Sequence, residues 1–118
     1  SLMTTYPEVF KVGVAGGPVI DWRFYEVMYG ERYMDTPQSN PEGYRSTSLL
    51  NKAKNLKGRL LVIHGGNDRL VPMWCSEDFV KTYDEAAELI VVEGENHRLS
   101  KKTRKVAELV TAFFDTHR

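Results

Sequence analysis

The chain has 118 residues, which suits a single domain with one core. Its Lys and Arg side chains number 16, as do its Asp and Glu side chains, so the net charge is near zero. This balance argues against nucleic acid or an anionic membrane surface as the main partner. No apolar run approaches the roughly 20 residues of a membrane span, and the single Cys75 excludes an intrachain disulfide.

The first third of the chain is predicted to hold one strand and one aromatic helix. Residues 12–15 are short and apolar and lead into Gly-Gly-Pro, which indicates a buried strand. Residues 21–34 are predicted to be helical, with an interruption near Gly30. Three aromatic residues of this segment recur at i, i+3 and i+7, which places them on one helix face: Trp22, Tyr25 and Tyr29. Such a stripe is more often core than a binding pocket.

A loop, a short helix and two buried strands follow in the sequence. Residues 35–44 are rich in Pro, Ser, Asn and Gly, which predicts a loop, and residues 46–54 are predicted to form a short helix. Two apolar runs that end in glycine turns predict buried strands at residues 59–64 and 89–92.

Two further helices complete the pattern. One is expected to begin at Pro72, whose missing N–H costs nothing in a first turn, and to run to about Ala87. The last helix has Ser100 as its predicted N-cap. Its apolar residues recur at helical spacing, which predicts that one face packs on the sheet: Val106, Leu109, Val110 and Phe113.

The alternation of strands and helices predicts an α/β fold. Uninterrupted apolar strands indicate about three parallel strands flanked by helices in three layers, and right-handed crossovers make them neighbours in chain order. Ligands bind at the carboxyl edge of such a sheet. Asp68 follows the second strand and His97 follows the third, on strands only about 4.8 Å apart. An acid and a base at that edge are two members of a Ser-His-Asp triad.

The same residues also have simpler interpretations. An Asp in a glycine-rich turn usually caps a backbone N–H, and a His after a strand is usually a loop residue. No Gly-x-Ser-x-Gly motif occurs in the chain, so it carries no evident nucleophile. His64 is interpreted as a structural residue at a buried strand end, and Cys75 as a buried thiol rather than a nucleophile.

Several short segments between residues 9 and 68, a stretch of more than half the chain, form a recognisable set. They are VFKVGVAGGPVIDW (9–22), Tyr25, Tyr29, GERYM (30–34), PEGY (41–44), NLKG (55–58), IHG (63–65) and Asp68. This set resembles the catalytic domain of the dipeptidyl peptidase IV group within the prolyl oligopeptidase family, and the run ERYM after paired tyrosines is a fairly specific part of it.

The resemblance implies an α/β-hydrolase fold. Residues 1–118 would form a single partial domain, the C-terminal part, with the nucleophile strand absent. The resemblance implies that Asp68 is the catalytic acid and His97 the catalytic base of a serine peptidase that acts on peptides without a cofactor or metal. It also implies a proline-accepting substrate pocket formed by five residues: Val19, Trp22, Tyr25, Tyr29 and Val71.

Other interpretations stay open. Val71-Pro72 and the run EGENH (93–97) resemble small esterase-type α/β-hydrolases, and the chain could instead be a non-catalytic α/β module or assemble with a chain that supplies the nucleophile. Without a nucleophile the isolated chain is expected to be inactive, because triad members act as a unit. An exposed edge on the strand at residues 12–15 would favour a homo-oligomer.

Overall fold

A three-stranded parallel sheet is the centre of the fold. The computed structural model describes residues 1–117, apart from the side chain of Asp84. The strands are Val12–Gly16 (β1), Arg59–Gly65 (β2) and Ala87–Val92 (β3), and they lie in the order β1-β2-β3. Both pairs are parallel, which confirms the predicted α/β class and the predicted order of neighbours.

Helices cover both faces of this sheet. Within residues 1–117 the α-helices are Leu2–Thr5 (α1), Val27–Met34 (α2), Pro41–Thr47 (α3), Met73–Tyr83 (α4) and Thr103–Thr116 (α5). The chain also forms 3₁₀ helices at Trp22–Phe24, Leu50–Asn55 and Asp84–Ala86. None of the helices in the described part of the chain is long and apolar enough to cross a bilayer.

The central strand β2 separates two apolar clusters because its side chains alternate between the faces of the sheet. Val62 belongs to the cluster beneath α4, whereas Leu61 and Ile63 belong to the cluster beneath α5. All three are at most 1% exposed. The predicted apolar stripe of α5 packs on the second cluster, as the helical spacing of these residues indicated: Val106, Leu109, Val110 and Phe113.

The predicted helix over residues 21–34 is wrong in its first half. Asp21 accepts a hydrogen bond from the backbone N–H of Arg23 and so caps a 3₁₀ turn at Trp22–Phe24, and α2 begins only at Val27. Gly30 does not interrupt α2 but lies buried within it, close to the hydroxyl of Tyr44.

The predicted boundaries of the remaining helices need smaller corrections. The end of the predicted loop forms α3, because Asn40 accepts a hydrogen bond from Gly43 N and Pro41 occupies the first turn. The helix expected over 46–54 ends at Thr47 and gives way to a 3₁₀ segment. Helix α4 ends at Tyr83 rather than near residue 87. Helix α5 starts at Thr103, so the predicted N-cap at Ser100 is wrong.

Candidate active site

The loops that follow β2 and β3 are joined side by side at the carboxyl edge of the sheet. Gly66 N donates to Val92 O at 2.9 Å, and Asn67 N donates to Glu95 O at 2.8 Å. A Cβ atom at Gly65 would collide with the backbone of Asn96, so only glycine permits this approach. These backbone contacts fix the two loops relative to each other without any contribution from side chains.

Asp68 and His97 are in direct contact across these loops. His97 Nδ1 lies 2.9 Å from Asp68 Oδ2. The other carboxylate oxygen, Oδ1, accepts the backbone N–H groups of Leu70 at 2.8 Å and Val71 at 2.9 Å. The side chain of Asp68 is 1% exposed and that of His97 is 23% exposed, so the pair combines a buried acid with a base that reaches the surface.

The environment of Asp68 keeps it ionised and fixes the tautomer of His97. Burial raises the pKa of Asp68, but the hydrogen bonds from Val71 N, His97 and Leu70 N outweigh it, so the pKa lies below its ordinary value. Because a carboxylate only accepts, Nδ1 of His97 carries the proton in this contact. Nε2 makes no hydrogen bond within residues 1–117 and is left to exchange a proton with a ligand.

His64 lies next to the carboxylate of Asp68 and is fully buried. Its Nε2 lies 3.0 Å from Val71 O and 3.4 Å from Asp68 Oδ2, and its Nδ1 lies 2.8 Å from Ser76 Oγ. Carbonyl and carboxylate oxygens only accept, so Nε2 is the donor to them, and the serine hydroxyl is the partner of Nδ1. Both ring nitrogens of His64 therefore have buried protein partners, as its interpretation as a structural residue at a buried strand end predicts.

Gly17 brings the end of β1 to the same site, an approach that is not evident from the sequence. It has a left-handed backbone with φ 52°, which favours glycine. A Cβ atom there would lie 3.0 Å from His97 O and 3.2 Å from His97 Nδ1. A glycine directly after the first strand was the available signal, but its close approach to His97 depends on a loop that is distant in sequence.

Trp22, Tyr25 and Tyr29 form an aromatic cluster, although not on one helix face. The ring centroids of Trp22 lie 5.5 Å from those of Tyr25 and 6.0 Å from those of Tyr29. Tyr25 and Tyr29 are 5.6 Å apart. The Tyr25 ring lies 6.1 Å from the ring of His97. The three rings therefore meet beside the base, through a turn followed by a helix rather than through one continuous helix.

The aromatic cluster is open to solvent on one side. Tyr29 is 47% exposed, and a cavity of about 230 Å³ lies beside it, lined by Trp22, Tyr29, Gly30, Tyr33 and Met34. Val19 and Tyr25 are half-buried and pack against the apolar core that contains Val71. Val71 is 2% exposed and contributes its backbone to the Asp68 and His64 contacts.

Cys75 takes no part in this arrangement. It is 2% exposed and belongs to the apolar core beneath α4. Burial raises the pKa of its thiol to about 11, so the thiolate is scarce near neutral pH. This confirms the interpretation as a buried thiol. Within residues 1–117 no three His, Cys, Asp or Glu side chains are grouped as a metal site would require.

Comparison with known proteins gives a consistent result. The sequence profile of the prolyl oligopeptidase family matches residues 1–118. A protein of Neurospora crassa named probable dipeptidyl-aminopeptidase B is 46% identical over 79 residues, which is 66% of this chain and 8% of that relative. The chain therefore spans only a small part of the length of this curated relative.

Solved structures agree with the same grouping. A Bacteroides ovatus protein provisionally named a dipeptidyl aminopeptidase IV matches with a TM-score of 0.91 and 46% identity, over 99% of this chain and 17% of that one. Porphyromonas gingivalis dipeptidyl peptidase 4 matches with a TM-score of 0.79 and 32% identity, over 90% of this chain and 16% of that one. These matches confirm the α/β-hydrolase fold, and the chain belongs to the prolyl oligopeptidase family.

Proposed function

We propose that the full-length protein is a serine peptidase in which Asp68 and His97 are the acid and base of the catalytic triad. The observation that carries this proposal is the 2.9 Å contact between a buried carboxylate and His97 Nδ1, which leaves Nε2 unpaired within residues 1–117. This is the arrangement that a triad needs, because the acid fixes the tautomer and the free nitrogen accepts the proton.

The chemistry follows from that geometry. A serine hydroxyl supplied from outside these 118 residues attacks the peptide carbonyl while His97 Nε2 takes its proton. The new C–O bond forms, the C–N bond breaks, and the same proton passes from Nε2 to the leaving amine. Water then releases the acyl group by the same exchange in reverse order. Asp68 stays ionised throughout and stabilises the imidazolium.

We propose further that the substrate is a peptide with proline at the residue before the cleaved bond. The aromatic cluster beside His97 offers flat apolar faces to a rigid ring, which gains from stacking and burial without needing a hydrogen bond. The names of the relatives, dipeptidyl-aminopeptidase and dipeptidyl peptidase, support cleavage after the second residue of a peptide.

A fluorophosphonate probe tests the first proposal directly. The full-length protein should be labelled and should cleave an Ala-Pro anilide, whereas His97→Gln should abolish both. His117→Gln is the matched control, because His117 lies at the far end of α5 and contacts Glu88 instead. Labelling of the 118-residue chain alone, or full labelling of His97→Gln, would contradict the proposal.

We also propose that the 118-residue chain on its own self-associates through β1. Within the described residues, β1 is an edge strand whose second side pairs with no other strand, and an open parallel edge favours pairing. Light scattering over a concentration series should show dimers or larger species. A monomer at the highest concentration would contradict this proposal and would leave the peptidase proposal untouched.

A further inference from the structure

A second cavity borders His97 away from the aromatic cluster. It has a volume of about 410 Å³, and besides His97 its walls include Arg69, Arg98, Lys101, Asn67 and Asn96. None of the three aromatic rings described above lines it. We name it the cationic cavity, because its charged wall residues are all positive. His97 therefore lies between an aromatic surface on one side and a positively charged cavity on the other.

The three cations of this cavity are not paired with carboxylates in the described part of the chain. Within residues 1–117, Arg69, Arg98 and Lys101 have no carboxylate within ion-pair distance. Other cations of the chain do pair: Arg23 with Asp21, Arg45 with Glu42 and Arg104 with Glu108. A chain with no net charge thus concentrates three unpaired cations beside its base.

Neither Asp68, which binds His97, nor Glu95 forms an ion pair with the three cations of the cavity within residues 1–117. Glu95 accepts the backbone N–H of Lys101 at 3.2 Å, which fixes the start of the segment that carries Lys101. Its side chain is fully buried and forms no ion pair with the three cations. The backbone bonds between the two loops also hold the positions of Arg69 and Arg98, which each directly follow a member of the acid–base pair.

We propose that the cationic cavity is the subsite for a carboxylate on the leaving side of the substrate. This inference rests on the proposed function. His97 delivers its proton to the leaving amine, so the leaving portion of the peptide must lie against His97. In a substrate of an aminopeptidase the acyl portion ends in a cationic α-amine, which three unpaired cations repel. The leaving portion can supply the carboxylate that they attract, and the asparagine amides can donate to it.

The carboxylate could come from an acidic side chain or from the free end of a short peptide. Three peptides separate these sources: Ala-Pro-Asp-amide, Ala-Pro-Asn free acid and the neutral Ala-Pro-Asn-amide. We expect the full-length protein to cleave one or both acids with a kcat/KM about three- to tenfold above that of the neutral peptide at low salt. The preference should shrink at 1 M salt, because the screening length falls to about 3 Å.

Substitutions locate the source of the preference. Arg98→Gln combined with Lys101→Gln should bring the ratio of kcat/KM values, acid over neutral peptide, close to one. Lys105→Gln is the matched control, because it removes one exposed positive charge from the start of α5 without touching the cavity. That variant should keep the ratio of the original protein.

The outcomes distinguish this inference from the function on which it rests. Equal cleavage of all three peptides at low salt, or a preference that survives the double substitution, would overturn the cationic cavity as a subsite. Fluorophosphonate labelling without cleavage of any of the three would overturn the dipeptide specificity that the inference assumes. Failure of the probe to label the full-length protein would instead overturn the peptidase proposal itself.

Discussion

The acid–base pair and the aromatic cluster lie side by side but are held in different ways. Asp68 is buried, and two backbone N–H groups and two histidines surround its oxygens. Tyr29 is half-exposed, and its contacts in the cluster are between rings. Hydrogen bonds in a buried site are directional, whereas a half-exposed ring is held by ring contacts and partial burial. The pair that would do chemistry is therefore fixed by more directional contacts than the surface that would choose substrates.

The largest loss of activity is expected from Asp68→Asn, which removes the acid of the hydrogen-bonded pair. The amide keeps the shape of the side chain but no longer holds His97 in the tautomer that leaves Nε2 free, so kcat of the full-length protein should fall about 10⁴-fold. Steady-state cleavage of a prolyl anilide measures it. Asp78→Asn, on the exposed face of α4, is the control and should keep normal activity. A loss of less than tenfold in Asp68→Asn would show that the acid has another role.

A smaller loss is expected from His64→Leu. The substitution leaves Val71 O and the hydroxyl of Ser76 buried without their partner, which costs about 1–3 kcal/mol for each unpaired group. The loop that carries Asp68 should loosen, and kcat should fall about 10- to 100-fold, a loss similar to that found when the residues that orient metal ligands are replaced. KM should change little, because the fully buried His64 does not reach the surface on which a substrate would bind.

A rescue variant distinguishes positioning from a general loss of stability. His64→Gln keeps an amide N–H that can reach Val71 O, so it should recover part of kcat. If His64→Gln and His64→Leu lose activity equally while both keep the unfolding temperature of the original protein, His64 does not act through the Asp68 loop.

A substitution in the aromatic cluster should have a smaller effect, and it should change the choice of substrate rather than the rate of the chemical step. Tyr29→Ala removes one stacking face, worth about 0.5–1.5 kcal/mol. The preference for Ala-Pro over Ala-Ala anilides, as a ratio of kcat/KM values, should therefore fall about two- to tenfold. Tyr6→Ala removes another exposed tyrosine, outside the cluster, and should leave the ratio unchanged. An unchanged ratio in Tyr29→Ala would place the proline elsewhere.

The acid–base pair could be predicted from the sequence because strand ends are a local signal. An apolar run followed by a glycine turn marks a buried strand, and parallel strands share a carboxyl edge, so Asp68 and His97 had to lie near each other. The membership of the aromatic cluster was predicted, but its helical explanation was wrong. The capping carboxylate of Asp21 competes with the helix at that point, which spacing alone does not reveal.

Contacts between separate loops could not be predicted from the sequence. Gly17 touches His97, and the unpaired cations meet in one cavity, only because backbone hydrogen bonds bring separate loops together. The charge of Arg69, Arg98 and Lys101 is visible in the sequence, but so is that of the cations that pair. That these three cations line one cavity beside His97 depends on tertiary structure, and this grouping carries the proposed subsite.

The smallest effect is expected at Cys75, which lies in the apolar core and not in the acid–base pair. With a pKa of about 11, its thiol is about one-thousandth ionised at pH 8. Alkylation of Cys75 in the native protein, followed by mass spectrometry of its peptide, should be slow and should speed up as pH rises toward 11. Cys75→Ala should keep kcat/KM within about twofold, because the thiol contacts only the core. Fast alkylation at pH 7 with loss of activity would mean that the thiol opens onto the site, and the acid–base pair would then be held less firmly than its hydrogen bonds indicate.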